Sequence, residues 1–199
     1  LTFAEDMMTA TPDLWSSRAA LLPIDMQRGF DLPPFGRRNN PDLDANGLRL
    51  LVAWRAAGLP LLHIRHDSVE SGSVFVPSHP GNAFRPGFEP WEGEPVVAKS
   101  VNCAFIATDL DLRLRRLGVG TVVMFGLTTD MCVSTTVRVA ANLGYRAILV
   151  GDASACFDLP DGAGGTIAAE ALQRAHLATL AAEFATVTTT GVVVERLGA

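Results

Sequence analysis

Residues 118–152 read G-V-G-T-V-V-M-F-G-L-T-T-D-M-C-V-S-T-T-V-R-V-A-A-N-L-G-Y-R-A-I-L-V-G-D, and this stretch decides the fold. The apolar run Gly120–Gly126 has the length and content of a strand buried on both faces. Helix period then takes over from Met131 to Leu143 and stops at Gly144, a residue suited to a C-terminal cap. A second apolar run, Arg146–Asp152, follows at once. Strand, helix and strand at this spacing make a parallel crossover unit.

The same alternation extends outward in both directions from residue 19. Further strands are expected at Ala19–Asp25, Leu59–His66, Pro95–Lys99 and Phe184–Thr188, with helices at about Asp42–Ala57, Thr108–Leu117 and Gly165–Ala182. Gly58 and Gly118 stand where helix caps are needed. The expected fold is therefore α/β and Rossmann-like: a doubly wound, mostly parallel six-stranded sheet with helices on both faces. One local conflict is Pro23, which removes a ladder donor inside a central strand, so the strand is either bulged there or begins its pairing at Ile24. Residues 1–18 show no sustained period and are expected to form an N-terminal arm, leaving 19–199 as a single domain. Residues 67–94, rich in Gly, Pro and Ser, form a loop long enough to suggest a functional role.

With 199 residues, 48% of them hydrophobic, the chain can bury one sizeable core. Its formal net charge of -5 offers no basic footprint for nucleic acid or an anionic membrane surface. No apolar stretch is long enough to span a bilayer as a helix. Three cysteines, Cys103, Cys132 and Cys156, form neither a disulfide framework nor a paired metal motif, which fits a reducing cytoplasm. A small-molecule ligand is the expected partner, and the apolar composition leans toward a homo-oligomer, a dimer or tetramer.

In open parallel sheets ligands bind beyond the carboxyl ends of the strands, so the polar residues that follow each strand are the candidates. Asp25 ends the first strand, Lys99 the third, and Cys132 opens the helix after the fourth. A thiol in a first helical turn, beside a lysine, should have a lowered pKa and supply thiolate. A nearby carboxylate could accept its proton and return it to a leaving amine. Taken singly, each residue has an ordinary explanation, since a buried cysteine is usually a small hydrophobe and a lysine is usually solvated. Meeting at one sheet edge, they are the parts of an acyl-transfer site.

The segment Gly126-Leu-Thr-Thr-Asp-Met-Cys-Val-Ser-Thr-Thr136 resembles the nucleophile loop of isochorismatase-like cysteine hydrolases. Ile24-Asp25-Met26-Gln27 and Lys99-Ser-Val-Asn-Cys-Ala-Phe105 resemble that family's Asp and Lys motifs, in the right order. The resemblance implies that Cys132 attacks an amide carbon, Asp25 shuttles the proton and Lys99 stabilises thiolate and developing charge, by way of a thioester. It also implies a cis peptide between Leu127 and Thr128, and an oxyanion hole made by the backbone N–H groups of Thr128 and Cys132. Family members that hydrolyse nicotinamide carry an Asp-x-His metal motif after the second strand. Here His63-Ile64-Arg65-His66-Asp67 has a different spacing, so no metal and no other cofactor is expected. The cysteine, absent from members that cleave the vinyl ether of isochorismate, favours C–N hydrolysis of a small carboxamide or ureido compound.

Phe30, His66, Trp91 and Phe157 are the expected substrate-binding residues, the aromatic rings serving as walls for a flat ligand. Cys103 lies in an apolar neighbourhood with Ala104 and Phe105, Cys156 follows the fifth strand but lacks the helix-start setting, and His63, His79 and His176 carry no functional signal. Asp161-Gly-Ala-Gly-Gly165 contains neither phosphate-loop arrangement. A competing expectation is a non-catalytic binding or scaffold protein on the same fold. An enzyme should show one unusually fast cysteine toward a thiol-reactive probe at neutral pH, and a scaffold none.

Overall fold

A computed structural model describes residues 18–198, so the expected arm lies outside the described residues except for Arg18. The strands are β1 (Ala19–Ile24), β2 (His63–His66), β3 (Val96–Lys99), β4 (Thr121–Leu127), β5 (Arg146–Ala155), β6 (Leu159–Pro160), β7 (Thr166–Ile167) and β8 (Thr186–Thr188). The helices are α1 (Leu43–Ala56), α2 (Leu110–Arg116), α3 (Ser134–Asn142), α4 (Ala169–Glu183) and α5 (Thr190–Leu197). Six strands pair in the order β3-β2-β1-β4-β5-β8, all parallel, while β6 and β7 form a separate antiparallel pair. Among the described residues no helix is long and apolar enough to cross a membrane.

Alternation along the central strands divides the core into two layers. From β4, Val122 and Met124 point into a cluster with Leu110 and Leu114 of α2, Val137 of α3 and Leu180 of α4. Val123, Phe125 and Leu127 point the other way, toward Leu50 and Trp54 of α1 and Val193 of α5. Both faces of β4 are buried, which explains why its sequence is an apolar run without polar interruption.

Pro23 is accommodated without a bulge. Toward β4, β1 pairs throughout, from Ala19 with Thr121 to Ile24 with Gly126. Toward β2, Leu21 N–H donates to Pro60 O at 2.9 Å and Asp25 N–H to Ile64 O at 3.0 Å. The donor that proline lacks falls between these two bonds, where β2 has not yet begun. That side of β1 therefore pairs loosely, and regular β2 starts at His63 rather than Leu59.

Elements absent from the sequence reading lie near the C-terminus. Helix α5 contains Val192-Val193-Val194, a β-branched run with weak helix propensity, yet it packs on α1. Asp152, just past the middle of β5, accepts from Thr190 N–H at 2.8 Å and from Thr190 Oγ1 at 2.9 Å, which secures the first turn. The expected helix from Gly165 begins instead at Ala169. Asp161 Oδ1 accepts from Ala163 N–H and Gly165 N–H, both at 2.8 Å, and so ties those residues into the β6–β7 turn.

Candidate active site

Strand order puts β1 between β2 and β4, so the chain leaves β1 on one side toward β2 and β3 and on the other toward β4 and β5. Such a reversal opens a crevice at the carboxyl ends. Asp25 stands immediately after β1, His66 and Lys99 are register partners at the ends of β2 and β3, and Thr128–Cys132 follow β4. Gly126 has φ +132, and a Cβ there would overlap the Ile24 carbonyl oxygen, so only glycine lets β1 and β4 approach this closely at their ends. The peptide between Leu127 and Thr128 is cis, at the position expected from the sequence.

The structure brings Asp25, Lys99 and Cys132 together. Lys99 Nζ is 2.7 Å from Asp25 Oδ2, with both side chains fully buried, and it donates to Cys132 Sγ at 3.4 Å. His66 Nδ1 is 3.1 Å from the same ammonium. An ammonium has three donors, so a carboxylate, a sulfur and an imidazole account for all of them. Asp25, His66 and Cys132 each offer a metal-ligating atom within 4.8 Å of the others, but the Lys99 ammonium already makes close contact with all three. A fixed positive charge thus stands where a cation would sit.

The electrostatics overturn one expectation. Burial, and next the charge of Asp25, push the Cys132 thiol well above its ordinary pKa, and Lys99 only partly opposes them. With Asp25 anionic and Lys99 cationic the cluster is neutral, and a thiolate would add an uncompensated charge to a site that water barely reaches. Cys132 does not open a regular helix either. It lies in a single π-helical turn, Thr129–Val133, with Val133 N–H bonded to Thr128 O at 3.0 Å, and α3 begins only at Ser134. Lys99 feels burial pulling its pKa down, but Asp25 and Cys132 outweigh it and the net shift is upward.

Beside the sulfur is a cavity of about 170 Å³, lined by Asp25, Thr128 and Cys132 together with Phe30, His66, Phe157 and other side chains. Four phenyl rings wall it. Phe30 lies 4.8 Å from Phe35, 4.7 Å from Phe75 and 5.9 Å from Phe157, the last pair stacked. Phe35, Phe75 and Asn102 were not singled out from sequence, although Phe75 belongs to the 67–94 loop and Asn102 to the lysine motif. Asn102 Oδ1 lies 3.9 Å from Sγ. A larger cleft of about 990 Å³ adjoins and shares Phe35, His66, Phe75 and Asn102.

Trp91 is the misplaced residue. It is 62% exposed and lies near the starts of β2 and β3, at the opposite end of the strands from the thiol. There Arg55 stacks on it at 4.1 Å, and Glu94 accepts from the Trp91 amide at 2.8 Å, from Arg55 Nε at 2.7 Å and contacts His63 Nε2 at 2.9 Å. The loop runs from the carboxyl end of β2 to the amino end of the parallel strand β3, so Phe75 falls in its site-facing half and Trp91 in the half that has left the site. Burial raises the Glu94 carboxyl pKa, but Arg55, the Trp91 amide and His63 outweigh it and bring it to about 2. A depressed carboxyl pKa stabilises the fold above the ordinary carboxylate range and loses that contribution as pH falls toward 2. Glu94→Gln should therefore cost about 1–3 kcal/mol at pH 7. Urea unfolding repeated down the acid range should show a flatter decline for the variant, and parallel declines would refute the assignment.

The family model for the isochorismatase domain matches residues 19–191. The isochorismatase family protein YrdC of Bacillus subtilis, whose activity is uncharacterised, is 38% identical over 173 residues, covering 87% of this chain and 92% of its own length. Streptothricin hydrolase of Streptomyces noursei is 37% identical over 71% of this chain and 56% of its own. The ureidoacrylate amidohydrolase RutB of Agrobacterium fabrum is 27% identical over 69% of this chain and 76% of its own. Among solved structures, an isochorismatase-family protein from Chromobacterium violaceum superimposes with a TM-score of 0.87 at 43% identity, over 91% of this chain and 94% of that one. A cysteine hydrolase from Pseudomonas syringae does so with a TM-score of 0.83 at 31% identity, over 91% and 92%. Sheet order, crevice and sequence therefore agree: the chain belongs to the isochorismatase family, and its fold is that of the family's hydrolases.

Proposed function

We propose that the protein hydrolyses a small, flat carboxamide or ureido compound through a Cys132 thioester, releasing ammonia or an amine. The observation that carries this reading is the contact between Lys99 and both Asp25 and Cys132, in a buried cluster that opens onto an aromatic-walled cavity. At about 170 Å³ the cavity slightly exceeds the roughly 150 Å³ that accommodates a benzene ring elsewhere.

Chemistry follows from the neutrality of the cluster. As Sγ attacks the carbonyl carbon, its proton passes to Asp25, so the new negative charge moves onto the carbonyl oxygen and total charge in the site is unchanged. Lys99 holds the sulfur and the carboxyl group in register throughout. The backbone N–H groups of Thr128 and Cys132 receive the oxyanion, a role worth about 3–4 kcal/mol per donor in other hydrolases. Collapse breaks the C–N bond, and Asp25 returns the proton to the leaving nitrogen. Water then attacks the thioester, giving its proton to Asp25 and releasing the acid, after which Sγ regains a proton. Because the thiol stays protonated until substrate arrives, the fast cysteine expected of an enzyme from the sequence no longer separates it from a scaffold: a small alkylating agent should modify Cys132 slowly at neutral pH and faster as pH rises. A fast, pH-independent alkylation would contradict that order of events.

The names of two relatives, streptothricin hydrolase and ureidoacrylate amidohydrolase, also support hydrolysis. The test is an ammonia- and amine-release screen across small amides and ureides, with Cys132→Ala as control. Release by wild type alone supports the reading, and equal release by both proteins removes it.

A further inference from the structure

The proposed three-residue chemistry leaves one neighbour of the ammonium without a task. His66 ends β2 as the register partner of Lys99, and its Nδ1 lies 3.1 Å from Lys99 Nζ. An ammonium has no lone pair, so Nδ1 must accept that bond, and a neutral imidazole that accepts at Nδ1 carries its proton on Nε2. Burial and then the Lys99 charge hold the ring below its ordinary pKa, against the opposing pull of Asp25, Asp67 and Glu70, so the neutral form prevails at pH 7.

The ring is also held in position. Gln27, itself fully buried, donates from Nε2 to His66 O at 3.0 Å and accepts from His66 N–H at 2.8 Å. Asn82 Nδ2 donates to the same carbonyl at 3.1 Å, and Phe75 meets the ring edge-on at a centroid distance of 5.8 Å. Among the described residues Nε2 has no hydrogen-bond partner, nor is it a sealed, unsatisfied atom. His66 lines both the cavity beside Sγ and the larger cleft.

We infer that His66 is a fourth active-site residue, a neutral Nε2–H donor locked in one tautomer that holds an acceptor atom of the substrate next to the scissile carbonyl. The ligand class is correspondingly narrower: a compound with a second carbonyl or a carboxylate within an atom or two of the carbon under attack. The kinetic part rests on the proposed hydrolysis, and the binding part does not.

Two substitutions separate the two ring nitrogens. His66→Asn places an amide oxygen near the Nδ1 position, keeping the acceptor for Lys99 while losing the outer donor. His66→Gln reaches the Nε2 position with its NH₂ group. His66→Asn should lose roughly tenfold or more in kcat/KM, mainly through KM, on a substrate with the adjacent acceptor and little on a matched one without it. His66→Gln should recover most of that loss. Equal losses on both substrates, with an altered rate of Cys132 alkylation, would assign His66 to holding Lys99 and overturn the donor role.

Nitrogen-15 NMR of the histidine rings decides the matter without turnover. Wild type at pH 7 should show His66 as the neutral Nε2–H tautomer, and benzoate, a flat carboxylate probe, should shift its Nε2 resonance. An Nδ1–H tautomer, an imidazolium, or no shift at saturating benzoate would refute the inference. Should wild type hydrolyse nothing in the screen, the reaction falls while the NMR result still judges the donor.

Discussion

Cys132→Ala is expected to abolish amide turnover while the fold survives. The side chain is 9% exposed and packs with Val133, Phe105 and Ala104 in the core layer beneath α3, so exchanging a thiol for hydrogen removes one atom from a well-filled neighbourhood. A small truncation of this kind should cost about 1 kcal/mol, within the usual range for point changes. The catalytic loss is of another order, because the covalent route disappears together with the nucleophile. Removing the nucleophile of other hydrolases costs on the order of 10⁴–10⁶-fold in kcat. Product formation followed by chromatography, beside a thermal melt of the same sample, reads both quantities. Activity within tenfold of wild type would exclude the thioester mechanism. Cys132→Ser should be nearly as poor, since a hydroxyl surrenders its proton to Asp25 far less readily than a thiol.

The second large effect concerns the Lys99–Asp25 pair. Neither side chain is exposed, so removing one partner strands the other's charge away from water. Lys99→Met and Asp25→Asn should each lower stability by about 3–5 kcal/mol. The double change Asp25→Asn with Lys99→Met leaves no stranded charge, and it should regain most of the lost stability while remaining inactive. Denaturant unfolding of the four proteins closes a double-mutant cycle whose coupling term measures the pair. Single variants within 1 kcal/mol of wild type would mean that the pair is not buried and bonded as described. The alkaline limb has a definite sign. Because the net Lys99 shift is upward, its contribution is complete below the ordinary lysine pKa of about 10.4 and fades only as pH rises past that value.

How much of this was legible beforehand can be judged residue by residue. The apolar runs and helix period of 118–152 gave the parallel unit, and the rule of strand ends then selected Asp25, Lys99 and Cys132. His66, Phe30 and Phe157 also stand where that reasoning put them, around one cavity. Phe35 and Phe75 escaped notice because they belong to segments with no period, whose path depends on contacts such as Asn82 Nδ2 to Phe75 O at 2.8 Å. Trp91 lies at the other end for a different reason: it stands just before β3, and a parallel connection enters that strand at its amino end. Helix α5 was hidden by its β-branched residues, since packing on α1 and the Asp152 bonds override local propensity.

Periodicity and strand-end position are properties of neighbouring residues, so the chain on its own determined the sheet, its crossovers and the edge at which chemistry gathers. The protonation state of the thiol belongs to the other category. It depends on how much water is excluded and on the summed charge of Asp25, Lys99 and His66, groups drawn from distant parts of the chain. A lysine nearby suggested a thiolate, whereas in the assembled site burial and the Asp25 charge raise the thiol pKa more than Lys99 lowers it. That distinction is decided only by tertiary structure, because desolvation and Coulomb energy depend on distances in space.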